Sequence, residues 1–374
     1  MGGIPNKKVE FRLAEKNCDY ASCFLDGRVL YVWYERRCDD GLMNCLRRIN
    51  LDEFAGSEEV SYVDVNNARW ASTLHDYGDY LGVSGGLGGV FRKSDLSPVY
   101  METGDYIALN RWGGYSFNFF YGRKFYRAVD FLEAPDKGFD VVDIDGWDVV
   151  GHLDLDLKDA CSFGSGLCCG VKADSSFVIY SLEKEAVVLE LSLSDLLGAR
   201  NAQEEVKYSA RGDLVLVHCA GLIVVIDVND LAVVRRIEYS REELVAEKLT
   251  DAGLVFSNLS LSAINFGDED VVLSFSRGAI CIAIKQGEVR WAKLYPLNVN
   301  FSGSCISGDV IFGVKNDRPV AWDRYTGEDL WEAASRLPCK NIQAGEGWLV
   351  YSQIGGHIAC YKWKKSYVSP YRPA

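Results

Sequence analysis

Short apolar runs alternate with polar turns along most of the chain. Between Gly212 and Tyr239, the runs LVLVH, GLIVVIDV and LAVVRRIEY are separated by turn residues, and similar triplets fill 270–295 and 308–333. Apolar runs of this length, bounded by Gly, Asn and Asp, are typical of short antiparallel strands. The pattern therefore predicts an all-β protein.

The strand pattern repeats at intervals of roughly 40 to 55 residues, as repeat architectures do. The copies begin at Asp26, Asp79, Gly104, Gly166, Gly212, Asp270, Gly308 and Gly347. Sequential antiparallel strands at this period predict a β-propeller of about seven blades, with six to eight allowed by the closeness of Asp79 and Gly104. Each blade is expected to be a four-stranded antiparallel sheet.

No Pro-rich or Ser-rich linker divides the sequence, so we expect residues 1–374 to form a single propeller domain. The segment Val9–Leu13 alternates apolar and polar residues, and we expect it to pair with the last sheet so that the two ends close the ring. Two short helical insertions are predicted, one at the capping box Ser240–Glu243 and one single turn at Ser194–Gly198.

The amino-acid composition is typical of a strand-rich protein, and the net charge limits the classes of partner that we expect. An aromatic share of 12% with 36 Gly and 8 Pro favours many strands and tight turns over helices. The net charge of −13 makes phosphate binding unfavourable, so we expect a basic protein partner and no nucleic acid. Apolar runs long enough to span a membrane, about 18 residues or more, do not occur.

The cysteines and the N-terminal sequence bear on compartment. The chain has 12 Cys, but the first residues, MGGIPNKK, contain no apolar signal core. Reduced thiols in a long chain fit a reducing compartment. The expectation is a cytoplasmic monomer.

The stretch Ala321-x-Asp323-x-x-Thr326-Gly327-x-x-x-Trp331 resembles the tryptophan-docking repeat of the quinoprotein-like β-propellers. A second copy retains Ala283, Gly287 and Trp291, with a turn interpreted as two residues shorter. The resemblance implies structural roles: Asp323 and Thr326 fix the turn, and the tryptophan packs between blades. The family includes quinone-dependent alcohol dehydrogenases and many members that bind no quinone. We expect a non-enzymatic member with no cofactor.

The adjacent pair Cys168-Cys169 is the feature that favours an enzyme, because quinoprotein dehydrogenases carry such a pair against the cofactor. Here the pair lies on an apolar strand, where free cysteines behave as small buried hydrophobes. The alternative function is a quinone-dependent or metal-dependent oxidoreductase, which the cysteine pair would favour if it had a chemical role. The four His are scattered and mark no catalytic constellation.

The densest acidic region runs from residue 129 to 160 and is the predicted partner surface. Its candidate contact residues are Asp140, Asp143, Asp145, Asp148, Asp154 and Asp156. His152, Asp154 and Asp156 alternate with leucines, which would place three metal ligands on one strand face, although a solvated edge strand explains the same pattern. The sequence thus predicts a non-catalytic protein-binding propeller, such as an immunity protein, antitoxin or adaptor that captures a basic partner. An assembly scaffold is a further alternative.

Overall fold

The computed structural model describes most of the 374 residues. The described ranges are 7–12, 18–38, 41–53, 57–63, 73–84, 89–101, 119–129, 138–155, 157–163, 166–172, 174–197, 206–219, 221–239, 261–267, 269–295, 299–333, 339–353, 357–363 and 368–371. The predicted capping box at Ser240–Glu243 and the repeat start at Gly104 lie outside these ranges.

The described strands form eight four-stranded antiparallel sheets, which confirms the predicted all-β propeller at the upper end of the expected blade count. Blade 1 consists of β2 (Cys18–Asp26), β3 (Val29–Cys38), β4 (Gly41–Asn50) and β5 (Ser57–Val63), and blade 2 of β6 (Thr73–Tyr77), β7 (Tyr80–Ser84), β8 (Gly89–Arg92) and β9 (Pro98–Met101). Blade 3 consists of β10 (Phe119–Tyr121), β11 (Lys124–Val129), β12 (Gly138–Asp143) and β13 (Val149–Leu153), and blade 4 of β14 (Leu157–Phe163), β15 (Leu167–Lys172), β16 (Ser176–Ser181) and β17 (Ala186–Ser192).

Blades 5 to 8 follow the same order along the chain. Blade 5 consists of β18 (Lys207–Arg211), β19 (Leu214–Cys219), β20 (Leu222–Asp227) and β21 (Ala232–Glu238), and blade 6 of β22 (Leu261–Phe266), β23 (Asp270–Phe275), β24 (Gly278–Ala283) and β25 (Glu288–Leu294). Blade 7 consists of β26 (Phe301–Ser307), β27 (Val310–Lys315), β28 (Arg318–Asp323) and β29 (Asp329–Glu332). Blade 8 consists of β30 (Cys339–Ala344), β31 (Trp348–Gln353) and β32 (His357–Lys362) together with β1 (Lys7–Arg12). A five-residue helix, α1 (Leu193–Leu197), lies where a single turn is predicted.

The chain divides into two compact units. Unit 1 comprises residues 1–101 and 241–374 and holds blades 1, 2, 6, 7 and 8. Unit 2 comprises residues 102–240 and holds blades 3, 4 and 5. The expectation of one domain over the whole chain stays a prediction.

Both ends of the chain contribute to blade 8 in unit 1. Strand β1 pairs antiparallel with β32, from Lys7 opposite Lys362 to Arg12 opposite His357. On the other side of this blade, the Gln343 side chain donates to the Cys23 carbonyl at 2.7 Å and accepts from the Leu25 amide at 2.6 Å. Gln343 thereby joins β30 to β2 through two hydrogen bonds.

The repeat starts that the sequence indicates fall at one position of the blade. Seven of them lie at or beside the hairpin between the first and second strands, namely Asp26, Asp79, Gly166, Gly212, Asp270, Gly308 and Gly347. In blade 3 this hairpin is at Gly122-Arg123, which the strand pattern did not indicate. The sequence pattern therefore located the hairpin, whereas the first strand of each blade precedes it.

Blades 2 to 7 share one turn between their third and fourth strands. The fourth residue after the third strand has positive φ in every copy. These residues are Leu96, Trp147, Glu185, Leu231, Gly287 and Gly327. In four of the copies its amide donates to the carbonyl of the last strand residue at 2.8 or 2.9 Å. In all six copies the register of the pairing shifts just before the turn.

Side-chain packing offsets the backbone cost at two of the four positions that are not glycine, Leu96 and Trp147. A non-glycine residue in the left-handed region costs about 1–2 kcal/mol. Leu96 is fully buried, and the Trp147 ring lies 6.3 Å from that of Phe120 and 6.0 Å from that of Phe125. Both side chains thus gain contacts that stabilise the strained turn.

The residue that directly follows the third strand occupies the same place in all eight blades, and we call it the anchor residue. Its amide donates to a carbonyl in the first hairpin of its own blade, at 2.9 to 3.1 Å. The anchor residues and their acceptors are Leu51 with Arg28, Lys93 with Asp79, Ile144 with Arg123, Leu182 with Gly166, Val228 with Asp213, Ile284 with Glu269, Arg324 with Asp309, and Trp363 with Gly347.

The side chain of an anchor residue packs into the preceding blade. Leu182 belongs to the cluster of Phe119, Tyr126 and Phe139 in blade 3. Val228 belongs in the same way to the core of blade 4, and in unit 1 Trp363 reaches the Phe312 ring of blade 7 at 5.3 Å. A buried aliphatic or aromatic side chain of this size stabilises by about 1.5–3 kcal/mol.

Two anchor residues are cationic, and each forms an ion pair with an acid of the preceding blade. Arg324 is 7% exposed and donates through Nε to both carboxylate oxygens of Asp270 at 3.0 Å. Lys93 contacts Asp26 of the preceding blade and Asp76 of its own blade at 2.8 Å each, and it lies 5.1 Å from the Phe24 ring centroid. Burial lowers the pKa of Lys93, but the hydrogen bonds to the two carboxylates outweigh it and raise the pKa.

Truncation of an anchor residue should destabilise its unit. We expect Leu182→Ala to lower the free energy of unfolding by about 2–5 kcal/mol, because it opens a cavity between two sheets. Glu183→Ala, at the exposed neighbouring position, should change it by less than about 0.5 kcal/mol. Denaturant titration followed by tryptophan fluorescence measures both, and equal effects would contradict the assignment.

Deletion of β1 should destabilise blade 8. Loss of residues 1–12 leaves the edge of β32 without its partner strand, so we expect a lower melting temperature than in a chain that lacks only residues 1–6. Differential scanning calorimetry compares the two. Identical transitions would show that the pairing of β1 with β32 adds nothing to stability.

Candidate functional site

The turn Asp323–Glu328 in blade 7 is built around two side chains. Asp323 Oδ1 accepts from the Tyr325 amide at 2.9 Å, the Thr326 amide at 3.0 Å and the Thr326 hydroxyl at 3.2 Å. Thr326 Oγ1 in turn accepts from the Glu328 amide at 3.2 Å. The aspartate is 1% exposed, so these bonds replace the water that it loses.

Trp291 from blade 6 lies on this turn. Its Nε1 donates to the Arg324 carbonyl at 2.9 Å. Gly327 has φ +71°, and a Cβ at this position would be 2.8 Å from Trp291 Cδ2, so both the backbone and the space require glycine. The tryptophan ring, 8% exposed, therefore joins the two blades by a hydrogen bond and by close packing.

The two recognisable copies of the motif differ less than the sequence suggests. Gly287 is four residues after Ala283, as Gly327 is after Asp323, so Ala283 occupies the place of Asp323 and the turns are equal in length. Ala321 is a buried residue of β28, two positions earlier. Trp331 is half-buried and contacts the Tyr361 ring of blade 8 edge-on at 5.7 Å.

The acidic region of unit 2 is partly neutralised by cations. Arg127, Asp140 and His152 form a row across β11, β12 and β13. Arg127 contacts Asp140 at 2.5 Å, and the two side chains are only 9% and 16% exposed, while His152 Nδ1 lies 3.2 Å from the same carboxylate. Asp145 forms an ion pair with Arg123. Asp140 and Asp145 are thus engaged within the blade.

The other acidic candidates are placed differently. Asp143 ends β12 and begins the turn, where its carbonyl accepts from the Trp147 amide at 2.8 Å. Asp148 and Asp154 are exposed at the two ends of β13 and form no ion pair with any described residue. Asp156 lies outside the described residues.

The proposed metal-binding face does not continue along one strand. Strand β13 ends at Leu153, and the Leu155 amide then bonds to the Leu153 carbonyl at 3.0 Å, which turns the chain. Asp154 consequently does not follow His152 on a strand face, so the alternation of residues 152–156 was misleading. Within the described ranges, no three His, Cys, Asp or Glu side chains are grouped as metal ligands.

The adjacent cysteines face opposite sides of blade 4. Both are fully buried, with Cys168 in the cluster that includes Phe119 and Cys169 in the cluster that includes Val215. Their side chains thus pack into two separate cores. In unit 1, burial raises the pKa of the Cys23 thiol to about 12 and also raises the pKa of Cys281. Thiols that stay protonated are poor nucleophiles.

His218 is 4% exposed and its Nε2 lies 2.5 Å from the Tyr239 hydroxyl, which places the imidazole in the core.

No helix in the described part of the chain is long and apolar enough to cross a bilayer.

Comparison with known proteins shows the fold alone. No family model and no curated protein matches the chain. Among solved structures, the computationally designed Ika8 protein superposes with a TM-score of 0.62 at 13% identity, covering 92% of this chain and 96% of its own. BamB from Moraxella catarrhalis gives 0.60 at 11% identity, covering 95% and 99%. The C-terminal WD40 domain of Sif2 gives 0.59 at 11% identity, covering 97% and 99%. These structural similarities support a β-propeller fold. They do not show the quinoprotein-like subtype.

The two motif tryptophans should differ in their contribution to stability. We expect Trp291→Ala to lower the free energy of unfolding by about 3–5 kcal/mol, because the ring is buried between blades. Trp331→Ala should cost less, since its ring is half-exposed. Trp291→Phe keeps most of the packing but loses the bond to the Arg324 carbonyl, worth about 1 kcal/mol. Denaturant unfolding ranks the three variants, and a larger loss for Trp331→Ala would contradict this order.

Proposed function

We propose that this protein is a non-catalytic binding module that captures a basic protein partner. The observation that carries the proposal is the pair of exposed carboxylates, Asp148 and Asp154, on either side of the exposed Val149 and Val150. Apolar side chains next to charges that no described residue neutralises are typical of a surface that a partner covers.

The charge of the whole chain supports the same proposal. A net charge of −13 attracts a basic partner over a distance limited by the Debye length, about 8 Å at physiological salt. The exposed carboxylates then select the place of contact. Asp140, Asp143 and Asp145 contribute to the local field, although Arg127 and Arg123 already offset two of them.

The finer assignments rest on fewer observations. The docking of Trp291 on Gly327 supports a non-enzymatic member of the quinoprotein-like propellers. Buried, separated cysteines give no support to quinone chemistry. We propose a cytoplasmic monomer that acts as an immunity protein, antitoxin or adaptor.

The test uses a partner isolated from native lysate at low salt, identified, and purified. We expect its dissociation constant to rise steeply with salt. The double variant Asp148→Asn/Asp154→Asn should weaken binding about tenfold, since each rim charge contributes up to about 1 kcal/mol. Isothermal titration calorimetry at low and high salt measures both effects.

The control is Glu183→Gln/Asp230→Asn, which removes the same charge at two other exposed turns of unit 2. It should retain binding within about twofold, because the distant charges act only through the screened field. An affinity that is indifferent to salt and to all four positions would overturn the proposed function.

A further inference from the structure

The outer strand of blade 3, β13, is the least protected sheet edge in the described structure. It is the last strand in the order β10-β11-β12-β13, so one side of its backbone pairs with no strand among the described residues. Val149 and Val150 are 56% and 59% exposed. Exposed edges with apolar side chains are ready to pair with another strand unless the sequence prevents it.

The other outer strands carry the residues that prevent such pairing. Each of β1, β5, β17, β21, β25 and β29 contains at least one charged residue, and β9 begins with Pro98. Of the eight described outer strands, β13 alone, with the sequence VVGHL, contains no Asp, Glu, Lys, Arg or Pro, and its one ionisable residue, His152, lies against Asp140. Because charge and proline are the usual protections of an edge, their absence here identifies β13 as an edge that a partner can use.

The charges next to β13 select the kind of partner. Asp148 directly precedes the strand and Asp154 directly follows it. Six residues of extended chain span roughly 20 Å, at about 3.3 Å per residue. An extended segment that lies along β13 would therefore place its two ends near the two carboxylates, and basic residues there would be matched in charge.

We propose that β13 binds an extended segment of the basic partner by strand addition, with β-branched residues over Val149 and Val150 and Lys or Arg at both ends. This inference rests on the proposed function and specifies its binding mode. Backbone hydrogen bonds to the edge provide affinity, and the alternate side chains provide specificity.

The geometry of β13 limits how strong the backbone contribution is. The strand has five residues, and its register with β12 shifts between Val141 and Val142. A short strand beside a bulge offers few regular hydrogen bonds. Ion pairs with Asp148 and Asp154 must then supply part of the affinity, so binding by strand addition is expected to depend on salt.

The test uses the full chain and fluorescein-labelled peptides. The probe KTVTVTVK has basic ends, and between them Thr alternates with Val, both of which are β-branched. In KTVPVTVK a proline removes one backbone hydrogen-bond donor. In ETVTVTVE the charges at the two ends are reversed. We expect only the first to bind at low salt. On its addition, amide hydrogen exchange should slow at residues 149–153, a readout that electrostatic attraction alone would not change.

A matched pair of variants tests the position. Val150→Lys places a protective charge on β13, and Val187→Lys does the same at another exposed valine, 40% exposed, on β17. We expect Val150→Lys to weaken binding of KTVTVTVK about tenfold and Val187→Lys to leave it within about twofold. Unchanged melting temperatures confirm that both variants are folded.

The outcomes separate this inference from the proposed function. If Asp148→Asn/Asp154→Asn weakens binding of the purified partner while Val150→Lys does not, capture of a basic partner stands and strand addition on β13 is wrong. Equal binding of KTVTVTVK and KTVPVTVK also overturns strand addition. If neither the carboxylate variant nor the valine variant affects the partner, strand addition on β13 is wrong, and an affinity that is also indifferent to salt overturns the proposed function.

Discussion

The structure depends most on the anchor residue, which follows the third strand of every blade. Its amide bonds to the first hairpin of its own blade, and in the six contacts described within one unit its side chain enters the blade before it. One residue thereby fixes the shape of a blade and its packing on the next. A four-stranded sheet cannot bury both faces alone, so the repeated contact is what makes neighbouring blades stable together.

The chemistry of the anchor residue varies while its position does not. Leu51, Leu182 and Val228 fill apolar sites, whereas Arg324 replaces the aliphatic side chain with a buried ion pair to Asp270. Such a pair gains little net stability over a hydrophobic contact, because both charges lose water. It requires an acid in one place of the preceding blade, so blades 6 and 7 are matched to each other by charge as well as by the ring of Trp291.

The sequence predicted what depends on local pattern and missed what depends on neighbours. The strand rhythm and Gly327 identified the fold, because glycine marks a turn with positive φ. The same turn at Leu96, Trp147, Glu185 and Leu231 escaped notice, since these residues rarely adopt that conformation. At Leu96 and Trp147, packing within the folded blade supports it. The pairing of Asp140 with Arg127 was also unpredictable, because it joins two strands whose register is set by the whole sheet.

The proposed contact surface lies in unit 2, where none of the three anchor residues is charged. In blades 3, 4 and 5 the anchor residues Ile144, Leu182 and Val228 are aliphatic, so no buried ion pair at that position consumes a carboxylate. Asp148, next to one of these turns, is exposed and takes part in no such pair. Strand β13 follows this exposed acid and is an edge that lacks the usual protective residues. Retaining such an edge brings a risk of aggregation, and a bound partner strand would remove that risk by covering it.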